Sequence, residues 1–151
     1  MNYLTAEVKR NLFYNCNGEQ GGGIYVNEIA LTLENNNFTS NIASNFNGAG
    51  VYIVCNPSGV DKPCTSTFTD NTFASNDANW GGGGVYWLGE EPTYLTTNNT
   101  FDGNYAVYGA NYASNASAII QITSDAYDTQ HPTSNTSRLL ATDSLTSIAS
   151  G

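Results

Sequence analysis

Positive charge is nearly missing from this chain: its 151 residues carry four Lys and Arg against thirteen Asp and Glu, a formal charge of -9. A nucleic-acid binder neutralises phosphates with clustered basic side chains, so no nucleic-acid partner is expected. Charge of either sign is scarce, at 11% of residues, where ordinary globular domains carry about 25%. No apolar run approaches the roughly 20 residues of a spanning helix, and residues 1–10 lack the apolar core of a secretory leader. No membrane span is expected in this segment. Long stretches with apolar residues at i, i+3, i+4 and i+7 are missing too, which argues against a helical solenoid. The polar surface must come from uncharged Asn, Ser, Thr and Gly, a composition that suits an extracellular or cell-surface protein. With no leader in view, the expectation is a fragment of a longer chain.

What the chain does contain is a repeat. Asn-x-Phe-x-x-Asn occurs at Asn36-Asn37-Phe38-Thr39-Ser40-Asn41, at Asn71-Thr72-Phe73-Ala74-Ser75-Asn76 and at Asn99-Thr100-Phe101-Asp102-Gly103-Asn104. A degenerate first copy, Asn11-Leu12-Phe13-Tyr14-Asn15-Cys16, ends in Cys. A second motif follows each Phe: Gly21-Gly22-Gly23-Ile24-Tyr25-Val26, Gly48-Ala49-Gly50-Val51-Tyr52-Ile53, Gly82-Gly83-Gly84-Val85-Tyr86-Trp87 and, weakly, Tyr108-Gly109-Ala110-Asn111-Tyr112-Ala113. The Phe residues are 25, 35 and 28 apart, and the longer spacing comes from an insertion within Val54 to Thr65. Self-similarity at this period means stacked repeats.

The segments are short, β-branched or aromatic, and bounded by Gly and Asn, so they read as strands. Ile24 and Val26, Val51 and Ile53, and Val85 and Trp87 sit two apart, which puts each pair on one strand face and the intervening Tyr on the other. Leu31 and Leu33 present one face before Phe38. Leu95 is offset by one residue relative to Phe101, so either Tyr94 turns inward or a bulge resets the register. Two or three strands per turn with Gly or Asn corners describe one coil of a parallel β-helix, each coil about 4.8 Å above the last. Phe13, Phe38, Phe73 and Phe101 are then expected to stack inside, each worth on the order of 2–3 kcal/mol by burial. Asn41, Asn76 and Asn104 are expected to hold corners, where Asn tolerates left-handed geometry and its amide both donates and accepts. Gly at the other corner supplies positive φ and close approach.

This pairing of Phe-x-x-Asn with Gly-Gly-x-Ile/Val resembles the repeats of bacterial polymorphic outer-membrane proteins and of large protist surface proteins with pectin-lyase-like β-helices. The resemblance covers about residues 11–113, and Tyr108 to Ser114 resembles the closing coil of the protist versions. It implies extracellular stalks or passenger domains. The expected fold is all-β: a right-handed parallel β-helix (β-solenoid) of about four coils over residues 11–113. A Ser/Thr-rich C-terminal extension, residues 114–151, follows as a strand or linker.

Few residues suggest chemistry. Cys55 and Cys64 bracket a loop with two Pro and a Gly and are expected to form a disulfide, which implies an oxidising compartment. Cys16 is left as a buried thiol in an Asn slot or an intermolecular partner. Sequons stand at Asn37, Asn98, Asn115 and Asn135, and strand alternation turns Asn37 and Asn98 outward. Tyr25, Tyr52, Tyr86 and Tyr112 align as an outward column that could meet glycans or a partner chain, or stack on itself. Asp70, Asp77 and Asp102 fall at different places relative to their Phe, Arg10 and Arg138 lie at the margins, and His131 lies in the Ser/Thr-rich tail. No catalytic residue, metal site or cofactor is therefore expected. The leading expectation is a non-enzymatic structural repeat of an extracellular fibre, appendage or stalk that associates with further copies of the repeat. A carbohydrate-binding module and then a polysaccharide lyase or hydrolase are the alternatives.

Overall fold

The computed structural model describes residues 4–55, 65–115, 118–122 and 138–142. All regular structure among them is β-strand. In chain order the strands are β1 (Thr5–Lys9), β2 (Leu12–Tyr14), β3 (Asn17–Gly18) and β4 (Ile24–Asn27). They continue with β5 (Ala30–Glu34), β6 (Asn37–Thr39), β7 (Ile42–Ala43) and β8 (Val51–Cys55). Next come β9 (Thr67–Thr69), β10 (Thr72–Ala74), β11 (Asp77–Gly81) and β12 (Val85–Gly89), and after them β13 (Thr100–Asp102), β14 (Tyr105–Tyr108) and β15 (Tyr112–Ser114). The strands β16 (Ala118–Ile122) and β17 (Arg138–Thr142) come last.

Consecutive strands do not pair. The chain visits four sheets in turn and then returns to the first, giving parallel stacks β1-β5-β9, β2-β6-β10-β13, β3-β7-β11-β14 and β4-β8-β12-β15. This topology is compatible with a β-solenoid. A circuit has up to four strands, not the two or three expected, because the two-residue strands β3 and β7 are too short to stand out in sequence. The parallel stacking also begins earlier than residue 11, since β1 pairs with β5 from Thr5 opposite Ala30 to Lys9 opposite Glu34.

Registry is set by identical residues. Phe13, Phe38, Phe73 and Phe101 are directly opposite one another on neighbouring strands. Their rings lie flat at 4.7, 4.9 and 5.0 Å between centroids, inclined by 4°, 7° and 10°. That separation follows the spacing of about 4.8 Å between hydrogen-bonded strands. The interior is completed by Val26, Ile53 and Trp87 on one column and Leu33 with Phe68 on another. On the third wall the inward column is Gly18, Ala43, Ala78 and Ala106, small residues that let this wall approach closely.

The corners correct one expectation. Asn41, Asn76 and Asn104 are not the left-handed residues; the residue before each of them is. Asn15, Ser40, Ser75 and Gly103 have φ between 54° and 57°, as do Arg10, Asn35 and Asp70 within a few degrees. This frees the following Asn to send its amide inward. At the opposite corner Gly21, Gly48, Gly82 and Gly109 take positive φ. In the first three circuits the position two residues further on needs glycine for a different reason: a Cβ on Gly23, Gly50 or Gly84 would sit about 3.0 Å from the ring of Phe38, Phe73 or Phe101 and against a carbonyl of the adjacent circuit.

Leu95 is fully buried and Tyr94 is exposed with φ 64°. The offset before Phe101 is thus absorbed by a turn in which Leu95 N–H donates to Pro92 O, and Thr97 and Asn98 N–H donate to Tyr94 O. Beyond Ser114 a second compact unit, Asn115–Ile148, contains the antiparallel pair β16-β17, with Ile120 opposite Leu140. The insertion at 56–64 lies outside the described residues.

Candidate functional site

Two asparagine columns run through the stacked circuits, and their bonds have a direction. Asn36 N–H and Nδ2 both donate to Asn71 Oδ1, at 2.9 and 3.0 Å, and Nδ2 also reaches Val8 O. Asn71 makes the same three bonds to Asn99 Oδ1 and Leu33 O. In the second column Asn41 bonds Asn76 Oδ1, and Asn76 bonds Asn104 Oδ1. Asn41, Asn76 and Asn104 are buried, and each amide satisfies buried backbone that an apolar side chain would leave unpaired.

The two ends of these columns differ. At one end Asn99 Nδ2 turns to the carbonyls of Phe68, Tyr94 and Leu95, and Asn104 Nδ2 reaches Asn111 Oδ1 at 3.2 Å. Tyr112 sets its ring edge-on to Phe101 at 5.5 Å and 63°. At the other end, no donor among the described residues reaches Asn11 Oδ1. Cys16 N–H donates to Asn41 Oδ1 as a ladder residue should, but its sulfur offers no comparable acceptor. Cys16 is a free thiol and only half-buried, not the buried one expected. Phe13, Val8 and Ile24 are likewise only half-buried, and Leu12 and Tyr14 are exposed.

The tyrosine column needs correction. Tyr25, Tyr52 and Tyr86 are in register, but the next residue in that column is Ala113; Tyr112 lies opposite Val85 and enters the interior column. The final Gly motif is shifted by one residue relative to the sequence alignment. Tyr25 is 45% exposed, whereas Tyr52 and Tyr86 retain only 7% and 2%. Their rings stack on one another at 5.5 and 5.3 Å, so the faces a sugar would need are already occupied. Burial raises the hydroxyl pKa of both, and the Tyr108 hydroxyl, 3.5 Å from that of Tyr86, adds to the rise there.

A different outward column carries open aromatic surface. Phe46 N–H donates to Glu19 O and Trp80 N–H to Phe46 O, which stacks Glu19, Phe46 and Trp80. Val107 occupies the matching place, two residues before Gly109. Phe46, Trp80 and Val107 are exposed, with Ile42 and Tyr105 exposed on the adjoining column. The sequence signal for this column is an aromatic residue two before the corner glycines Gly48 and Gly82.

The remaining candidates are scattered. Asn37, Asn98 and Asn115 are exposed, and the Thr39 hydroxyl donates to Asn37 Oδ1. Asn135, His131 and Cys64 lie outside the described residues. Cys55 is buried and disulfide-bonded. Asp102 follows Ala74 on the second wall, Asp77 follows Ile42 on the third, and Asp70 stands at a corner where its N–H meets Asn98 O. No group of three or more potential metal ligands occurs among the described residues, and no described helix is long and apolar enough to cross a membrane. Comparison with family models, curated proteins and solved structures gives no match.

Proposed function

We propose that this chain is a non-enzymatic structural segment of an extracellular fibre or cell-surface stalk, a right-handed β-helix of about four coils that accepts further repeat at one end. The observation carrying this is the asymmetry of the ladders. Phe13 and Phe101 are both half-buried and strand edges lie at both ends, but Phe101 meets Tyr112 edge-on and Asn104 reaches Asn111, while no donor among the described residues reaches Asn11 Oδ1. An open parallel edge is a template for another strand. A disulfide at Cys55 suits an oxidising, extracellular setting.

The test uses the edge itself. Asn11 and Asn15 already bond to β6 through Asn37 N–H and Thr39 O, so the amide of Leu12 between them faces the open end. Leu12→Pro removes that donor without touching the internal ladder. Light scattering and electron microscopy of the whole chain should show end-joined particles that Leu12→Pro abolishes while circular dichroism stays unchanged. Dispersed monomers at high concentration would sink the assembling version.

An adhesive or carbohydrate-binding role is the second reading, favoured by the exposed Phe46-Trp80-Val107 column and not by the closed tyrosines. Aromatic faces flanked by uncharged amides suit sugar stacking. Saturable glycan binding lost in Trp80→Ala would establish it, and a glycan array without signal would remove it. A lyase or hydrolase is the least supported reading, because Asp70, Asp77 and Asp102 occupy separate columns; turnover on acidic glycans would reinstate it.

A further inference from the structure

A polar hollow of about 510 Å³ opens beside the corner where Asp70 and Thr72 of one circuit meet Thr97, Asn98 and Thr100 of the next. Its frame is fixed from below. Asn71 and Asn99 turn inward to the ladder, Asp70 N–H donates to Asn98 O at 2.6 Å, and Asn98 N–H donates to Tyr94 O at 3.1 Å. Asn99 is held at three carbonyls, so the flanking Asn98 and Thr100 are presented outward, and both are exposed. Asn98-Asn99-Thr100 is therefore a glycosylation sequon mounted on a rigid frame at the mouth of a hydrogen-bonding cavity.

We infer that Asn98 carries an N-linked glycan whose first sugars lie in this hollow. The inference rests on the extracellular part of the reading above, and goes beyond it in naming the modified residue and its cradle. In the transfer, Asn98 Nδ2 forms a bond to C1 of a lipid-pyrophosphate-linked oligosaccharide, supplied by the secretory pathway with its transferase. The C1–O bond breaks, the lipid pyrophosphate leaves with the electron pair, and one Nδ2 proton passes to the transferase's base. The attached N-acetylhexosamine then offers hydroxyl and acetamide donors to the Asp70 carboxylate, and matching groups to the hydroxyls of Thr72, Thr97 and Thr100. The hollow is open to solvent and its lining is predominantly polar, which suits a sugar lying along the surface and not an enclosed apolar ligand. The glycan would also hold the turn that closes the Asn99 ladder. By contrast, Asn37 opens β6, paired between Leu12 and Thr72 within the sheet, and serves as the internal comparison.

The whole chain is secreted from a eukaryotic host and glycopeptides are mapped by mass spectrometry, with hydrogen exchange measured before and after enzymatic glycan removal. Expected are a glycan at Asn98, its loss in Asn98→Gln, and exchange over residues 92–100 that rises several-fold when the glycan is removed. In Asp70→Ala, occupancy is retained but glycan removal changes that exchange less. Modification at Asn37 with Asn98 bare overturns the site while leaving the extracellular reading intact. A chain without any glycan overturns both. A glycan at Asn98 whose removal leaves exchange over 92–100 unchanged overturns the cradle.

Discussion

Tyr112 meets Phe101 edge to face, 63° from parallel, where each preceding phenylalanine lies within 10° of its neighbour. The flat stack is therefore stopped by a ring turned on its side. Tyr112 reaches this place because it follows Asn111 in the column of Ile24, Val51 and Val85. In Tyr112→Ala the Phe101 face opens to water. Loss of about 2 kcal/mol is expected for deleting this half-buried aromatic, together with new dye binding to exposed apolar surface. Unchanged stability and dye signal would mean the closure lies elsewhere.

Asn76 and Asn11 hold the same kind of position with different surroundings. Asn76→Ala strands the N–H and amide of Asn41 and the carbonyl of Phe38 inside the protein, at about 1–3 kcal/mol per unmet group. A cost of roughly 3–5 kcal/mol in urea unfolding is expected, against under about 1 kcal/mol for Asn11→Ala at the exposed end. Equal costs would contradict the directional ladder.

Cys16 occupies a slot filled by Asn in the other circuits. Cys16→Asn supplies an amide donor to Asn41 Oδ1, as Asn41 does to Asn76, and is expected to stabilise by about 1 kcal/mol. A drop in the urea midpoint would show that the thiol, not the ladder, is preferred there.

Glycines separate by mechanism. Gly50→Ala drives a methyl against Gly84 O and the Phe73 ring, and overpacking of this kind costs about 1–3 kcal/mol or more. Gly103→Ala meets only Ser75 Oγ at 3.7 Å, leaving the left-handed backbone at about 1–2 kcal/mol. The urea midpoint should fall further for Gly50→Ala.

The alkaline side of the stability profile follows from Tyr52 and Tyr86. Both fold with the hydroxyl pKa raised by burial, so above the ordinary value of about 10 the unfolded chain loses protons that the folded one keeps. Stability should fall as pH rises past about 10 and keep falling until the folded hydroxyls ionise. Lys9, also raised, mainly by its hydrogen bond to Glu34, acts in the same direction, but its exposed pairing adds little. Tyr86→Phe should flatten the decline relative to its own stability at neutral pH; an unchanged slope would assign the decline to other groups.

Sequence alone determined the stacking. Identical residues recurring at Phe38, Phe73 and Phe101 leave one register in which rings meet rings and amides meet amides, and strand alternation then dictates that Val51 and Ile53 point one way and Tyr52 the other. Local pattern could not decide what lies outside. Tyr52 and Tyr86 are outward in parity yet closed in fact, because exposure depends on neighbours distant in sequence. The ends were equally hidden: a one-residue shift between Tyr108 and Tyr112 converts an outward tyrosine into the ring that closes the core, and only the folded register reveals it. The aromatic column at Phe46 and Trp80 and the hollow beside Asn98 arise where corners from different circuits come together. Tertiary structure decided them, since the residues that form each are about 28 to 35 positions apart in the chain and are joined by strand stacking of about 4.8 Å.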